Sequence, residues 1–260
     1  MTFELQFFGA TERVTGSLYL LRAGSSTIVL ECGLVQGSPD EDDRNREPFP
    51  FNVDDVDAVV ISHSHIDHSG RVPLLVKQGY TGPIYTHEAS KALCGIMLPD
   101  SGYLNEKEAE WESRKRARKG KSRVLPLYTQ ADAESSIDQF RGLEYDVPTE
   151  IAPGLTLTLF DAGHILGASI VQLQYAEQGE VRTLVFSGDL GYRDAPLMNA
   201  TTRLRHADAV LMESTYGDRN HRAIEETIAE LGGVFESGRA AQGNILIPAF
   251  TVGRTQDLLY

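Results

Sequence analysis

The sequence predicts an α/β protein in which strands and helices mix through both halves of the chain. Three observations predict it. Short apolar runs such as DAVVIS and LTLTLF are rich in residues that favour strands, and Gly or polar clusters punctuate them. Longer stretches with helical composition, such as NEKEAEWESRK, lie between these runs. Several apolar runs also end in loops rich in His and Asp, a placement typical of sites built at strand ends.

Taken in order, Glu4 to Phe8, Ser17 to Arg22 and Thr27 to Glu31 read as strands of a meander, with Gly9, Gly16 and Gly24 as punctuation. The segment Gly37 to Phe51 is acidic and Pro-rich, and is expected to be a surface loop near the rim of a site. A buried strand follows from Ala58 to Ser62, then a helix from about Gly70 to Gln78 with Pro73 in its first turn, and the short strand PIYTH. Helices are expected over Glu88 to Ile96, Asn105 to Lys119 and Gln130 to Gln139. Strands return at Leu155 to Asp161, Ser169 to Tyr175, Arg182 to Ser187 and Ala207 to Glu213. The last stretch reads as a helix from about Ala223 to Gly238, a strand NILIPAF and a helix beginning in VGRTQDLLY. The sequence shows no internal repeat.

At 260 residues and 41% hydrophobic, the chain suits one large domain, or one domain with part of another. No apolar run reaches the roughly 18 residues of a membrane helix, and the N-terminus lacks a signal-peptide pattern, so a soluble cytoplasmic protein is expected. Cys32 and Cys94 are too few for a disulfide framework and read as packed small hydrophobes. A formal charge of −13 argues against indiscriminate binding of nucleic acid, so a polyanion would need a locally basic route or metal ions. The segment Arg114 to Arg123, with seven basic residues in ten, offers such a route. Its acidic lead-in favours the plainer reading of a solvated helix whose charges complement the helix dipole.

The most informative segment is HSHIDHSG, which places His63, His65, Asp67 and His68 directly after the Ala58 to Ser62 run. Imidazoles and carboxylates suit zinc or a similar divalent metal. With one metal on His63 and His65, Asp67 and His68 could face a second about 3.5 to 4 Å away. Two further strand ends supply donors, LFDAGHILGAS and LVFSGDLG, in which Gly163 and Gly188 let the backbone bend toward His164 and Asp189. Alone, His164 or Asp189 would serve equally well as a cap or turn residue. As a set, His63, His65 and His164 on one metal and Asp67 with His68 on the other, bridged by Asp189, suffice for metal-assisted hydrolysis. Chemistry alone leaves phosphodiesters, thioesters, lactones and amides open as substrates.

HSHIDHSG, DAGHILGAS and FSGDLG resemble successive motifs of the metallo-β-lactamase superfamily. ESTYGDRNH, IPAFTVGRTQDLLY, GATERVTGS and NREPFPF look like its β-CASP nucleic-acid-processing branch, which includes the endonuclease subunit of the mRNA 3′-end cleavage machinery and bacterial homologues. The resemblance implies an αββα sandwich over residues 1–216, the opening of a β-CASP domain over 217–260, and a dinuclear zinc site, for which manganese would also serve. It further implies hydrolysis of single-stranded RNA, with internal cleavage favoured, by a metal-held hydroxide that Asp67 helps to position. His63, His65 and His164 match ligands of the first zinc, Asp67 and His68 those of the second, and Asp189 the bridge. Glu213 matches the first β-CASP motif, where an acidic residue orients a downstream His that helps protonate the leaving group. Where the family carries Asp in a segment like IDCG, this chain has Glu31 in LECG, a position that supports the site without binding metal.

The later β-CASP histidines and the last ligand of the second zinc are expected beyond residue 260, so the chain reads as an N-terminal portion whose activity alone would be weak or absent. His206 and His221 come too early to replace them, and His87 reads as a surface or cap residue. A small-molecule thioesterase or lactonase of the same superfamily is the alternative, favoured slightly by overall acidity, and an inactive fragment that keeps the fold is a third reading. The sequence leaves a homo-oligomer open.

Overall fold

The computed structural model describes residues 3–38, 41, 43–192, 195–220 and 222–260, and divides into two compact units, Met1–Met212 and Glu213–Tyr260. Pro39, Asp40 and Asp42 of the acidic loop, and His221, lie outside the described residues.

In the first unit, β1 (Phe3–Phe7), β2 (Tyr19–Ala23) and β3 (Ser26–Leu30) form the expected antiparallel meander. β4 (Ala58–Val60), β5 (Ile84–His87) and β6 (Phe140–Leu143) then add in parallel, giving a six-stranded sheet in chain order. Both faces of its centre are covered, which is why β4 reads as an unbroken apolar run. Val59 packs with the helices on one face, while Ala58 and Val60 face the second sheet.

That second sheet comprises β7 (Thr149–Ala152), β8 (Leu155–Asp161), β9 (Ser169–Glu177), β10 (Glu180–Phe186) and β11 (Ala209–Leu211). Four are antiparallel neighbours, and β11 joins β10 in parallel. Alternation along the strands turns Leu155, Leu157, Leu159, Val171, Leu173, Leu184 and Phe186 toward Leu21, Ile28 and Leu30 of the first sheet. Each leucine so buried contributes about 2 kcal/mol.

On the other face of the first sheet lie α1 (Ile66–Ser69), α2 (Val72–Lys77), α3 (Glu88–Ala117) and α4 (Gln130–Ser136). Their core side chains include Val72, Leu75, Cys94, Leu98 and Ala133. A capping box fixes the start of α4, with Thr129 Oγ1 accepting from Asp132 N–H and the Asp132 carboxylate accepting from Thr129 N–H.

Three expectations need correction, and two strands were missed. The separate helices over Glu88 to Ile96 and Asn105 to Lys119 are one helix of 30 residues. The stretch between them contains Pro99, which is accommodated within the helix. Gly102 lets α3 approach the start of α4, where an added Cβ would stand 2.7 Å from Thr129 O. The loop Gly37 to Phe51 is not wholly surface: Phe49 is buried in the core, with the Arg71 guanidinium 4.4 Å from its ring centroid. Asn45 of that loop is buried too, clamping Val35 by accepting from its N–H and donating to its C=O. β6 and β7 were not expected.

Taken by itself, the second unit holds α5 (Ile224–Ala240) and α6 (Arg254–Leu259), near their expected places. The expected strand NILIPAF is not one; residues 243–250 have no regular structure, and Leu246 is 94% exposed. β-branched and apolar composition favours a strand only where a neighbouring strand accepts its ladder. No described helix is long and apolar enough to cross a membrane.

Candidate metal centre

The side chains of interest stand just beyond the ends of β3, β4, β8 and β10, on one edge of the sandwich. Backbone hydrogen bonds hold this edge together. Glu31 N–H donates to Val60 O at 3.0 Å, and Cys32 N–H donates to His68 O at 2.8 Å. Ser169 N–H reaches from the second sheet to Ser62 O at 2.9 Å, so the residue before His63 is tied to the start of β9. Gly191 N–H donates to Ala162 O at 2.9 Å, joining the loop of Asp189 to that of His164. Gly163 and Gly188 have φ of +68° and +54°, the left-handed bends expected at these two turns. A Cβ at Gly188 would also stand 2.8 Å from the Ser62 side chain.

These ties gather His63, His65, His164 and Asp189 so that one donor atom from each lies within 4.8 Å of the others. His65 Nδ1 is 3.0 Å from His63 Nε2 and 3.3 Å from His164 Nε2. Asp189 faces both halves of the cluster. Its Oδ2 is 3.7 Å from His63 Nε2 and 3.6 Å from His164 Nε2, whereas Oδ1 is 3.2 Å from His68 Nε2. Asp67 Oδ2 lies 3.6 Å from His68 Nε2. Asp67 and His68 sit in the single turn of α1, with His65 at its N-cap.

Glu31 is fully buried, and both of its carboxylate oxygens are engaged: Oε1 accepts Ser62 N–H and Oε2 pairs with His68 Nδ1, each at 2.6 Å. These contacts fix the His68 ring, and Glu31 also lies close enough to His63 and His68 for the three to hold a metal. The longer side chain reaches its partners from a backbone at φ +61°. Burial pushes the Glu31 carboxyl up, against the pull of His68 and Ser62. Burial also opposes charge on His68, yet hydrogen bonds to Asp189 and Glu31 hold its pKa well above the ordinary value. For Asp189, burial is likewise outweighed by the His68 hydrogen bond and the surrounding imidazoles, which keep its carboxyl below the ordinary value. His63 is driven well below its ordinary value by burial and then by His68, His65 and His164, which favours the neutral imidazole that metal binding requires.

Sequence reading missed the supports. Ser62 Oγ stands 2.9 Å from His63 Nδ1, which lets Nδ1–H donate and leaves the Nε2 lone pair toward the cluster. Asp161 accepts from Gly163 N–H at 2.8 Å and from Asn199 Nδ2 at 2.9 Å, and Thr201 Oγ1 donates to Ala162 O at 3.0 Å, so the turn bearing His164 is braced from both sides. The Asp-x-Gly spacing of Asp161 and Gly163 was a readable signal for that turn. His87 caps α3, accepting from Ala89 N–H at 3.1 Å. His206 is exposed beside a groove lined by Ile170, Val185 and Met212, apart from the cluster. Glu213 is the half-buried first residue of the second unit.

A sheet edge with convergent imidazoles and one carboxylate facing two groups has the donor chemistry of a divalent metal site. The sequence profile of the metallo-β-lactamase superfamily matches residues 11–219. The chain belongs to this superfamily. Its metallo-β-lactamase sandwich also aligns with a crystallised protein of unknown function from Enterococcus faecalis V583, at a TM-score of 0.51 and 17% identity, over 84% of this chain and 51% of that one. Among curated superfamily relatives, ribonuclease TTHA0252 of Thermus thermophilus is 38% identical over 97% of this chain and 53% of its own length. Transcription termination factor FttA of a Lokiarchaeum is 32% identical over 100% of this chain and 39% of its own length. The metallo-β-lactamase chain described here thus spans about half or less of these relatives.

Proposed function

We propose that the protein containing this chain is a metal-dependent ribonuclease of the β-CASP branch, cutting internal phosphodiester bonds of single-stranded RNA in the cytoplasm. The observation that carries the reading is Asp189, whose Oδ2 faces His63 and His164 while Oδ1 faces His68. The similarity to ribonuclease TTHA0252 along 97% of the chain supports RNA as the substrate over a small thioester or lactone.

In this reading His63, His65 and His164 would hold one divalent cation, Asp67 and His68 would hold a second, and Asp189, which faces both groups, would serve each. Zinc suits these donors, and manganese is the alternative. When bound, such a pair supplies Lewis acidity for the phosphate and a water acidic enough to attack near neutral pH. The remaining work falls to the chain. Asp67 accepts a hydrogen bond from the attacking water and fixes its direction toward phosphorus. Glu31 holds the His68 ring and Ser62 the His63 ring, so neither must reorganise during the reaction. Glu213 orients a histidine supplied from further along the protein, which protonates the leaving oxygen. Residues 217–260 are the opening of the β-CASP domain, and the domain completes the RNA cleft.

The test is cleavage of a labelled single-stranded RNA by the longest product of the gene, with zinc, beside its Asp189→Ala variant. Cleavage that the variant loses is expected, with fragments from internal positions. Absence of cleavage by the unaltered protein would overturn the ribonuclease reading in favour of a small-molecule hydrolase.

A further inference from the structure

The N-terminal end of α3 adjoins the metal cluster, where Ser90 Oγ donates to Gly167 O at 2.8 Å in the loop bearing His164. The helix then continues to Ala117, so its far end stands about 40 Å away along the axis at roughly 1.5 Å per residue. That end is built as a clasp. At Gly120, with φ of +66°, the chain turns back along the last turns of the helix. Lys121 N–H donates to Arg116 O at 3.1 Å, Arg116 Nε to Ser122 O at 3.0 Å, and Val124 N–H to Ser113 Oγ at 3.0 Å.

On a chain of formal charge −13, this clasp concentrates seven of 24 Lys and Arg residues between Arg114 and Arg123. Arg114 pairs with Glu110 and Lys115 with Glu112, each at 3.5 Å. Among the described residues, no carboxylate lies within ion-pair distance of Arg118, Lys119, Lys121 or Arg123, all of them exposed. The helix dipole favours cations only within the last turn, so it does not account for Lys121 and Arg123 beyond the turn at Gly120. On the helix face that carries Arg118, seven residues before it, Trp111 is 63% exposed, with Lys115 Nζ 4.9 Å from its ring centroid. Unpaired cations that track a backbone, next to an aromatic face open for stacking, are the two elements of single-strand recognition.

We propose that this end of α3 is a second RNA contact, remote from the cleavage site, at which Arg118, Lys119, Lys121 and Arg123 take backbone phosphates and Trp111 stacks a base. The proposal rests on the ribonuclease reading. It makes RNA length a determinant of affinity, because only a strand that extends well beyond the catalytic cleft reaches both places.

The experiment uses the full-length protein and two single-stranded RNAs, one that fills only the cleft and one long enough to reach the clasp. K119E/K121E/R123E and, separately, Trp111→Ala are compared with the unaltered protein. For the long RNA, the triple variant is expected to reduce the slope of log affinity against log salt by roughly 2, about 0.7 for each phosphate no longer neutralised. Trp111→Ala is expected to raise KM for the long RNA about tenfold. Cleavage of the short RNA stays unchanged in both. Equal losses on both RNAs, or no loss on either, overturn the clasp proposal while leaving the ribonuclease reading intact. Failure of the unaltered protein to bind or cut either RNA removes both.

Discussion

The two ends of α3 treat charge in opposite ways. Near its start, Glu31, His68 and Asp189 are drawn into mutual contacts at 2.6 and 3.2 Å, and neighbouring loops are braced by Asp161 and Ser62. At its finish, Arg118, Lys119, Lys121 and Arg123 face solvent with no carboxylate at hand among the described residues. Buried charges require partners, since the cost of an unpaired one runs to several kcal/mol, whereas exposed cations are hydrated and can wait for a ligand. The first end therefore has its geometry fixed in advance, and the second has only its position fixed.

The sharpest attempt to break this contrast is Asp189→Ala. It removes a carboxylate whose two oxygens face both halves of the cluster, and metal affinity measured by calorimetry is expected to fall by more than about 100-fold, beyond the loss from removing a ligand's partner. Glu31→Gln tests whether orientation matters apart from ligation. It keeps the shape but weakens the hold on His68, and metal affinity is expected to drop roughly 10- to 100-fold with the fold retained. An unchanged affinity would mean that the 2.6 Å contact is incidental.

Gly188→Ala probes the backbone that aims Asp189. Forcing a Cβ into φ +54° costs about 1 to 2 kcal/mol, and the approach to Ser62 adds to it, so a lowered midpoint of chemical denaturation is expected. The smallest effect belongs to an exposed pair, Lys77 and Asp132 at 2.7 Å. Partial burial works to raise the Asp132 carboxyl, but Lys77 and Thr129 outweigh it and hold the pKa below its ordinary 3.8. Its contribution is thus present above that value and lost as pH falls through the lower folded one. Lys77→Ala should reduce stability by under about 1 kcal/mol near neutrality. The difference in Tm from the unaltered protein should shrink as pH falls below 3.8 and vanish once Asp132 is protonated in the folded state.

The metal edge was legible because its donors follow apolar runs directly. His63, His65, Asp67 and His68 crowd after β4, and His164 and Asp189 each follow a glycine that bends the chain. What the sequence hid was carried by backbone or by long-range packing. The tie from Ser169 N–H to Ser62 O has no side-chain signature. The break expected between Ile96 and Asn105 is absent, because local propensity is blind to α4 packing alongside Gly102. NILIPAF carries strand composition, but pairing is a property of two segments and cannot be read from one. Phe49 sits in a loop whose acidic and Pro-rich average concealed its core contacts.

The tie between Ser62 and Ser169 also bears on the order of events during synthesis. His164 follows His65 by 99 positions, and Asp189 later still. At about 5 to 20 residues per second, a ribosome exposes the HSHIDHSG loop several seconds before its remaining partners emerge. During that interval the nascent chain presents an incomplete set of donors, and only the docking of the second sheet encloses them.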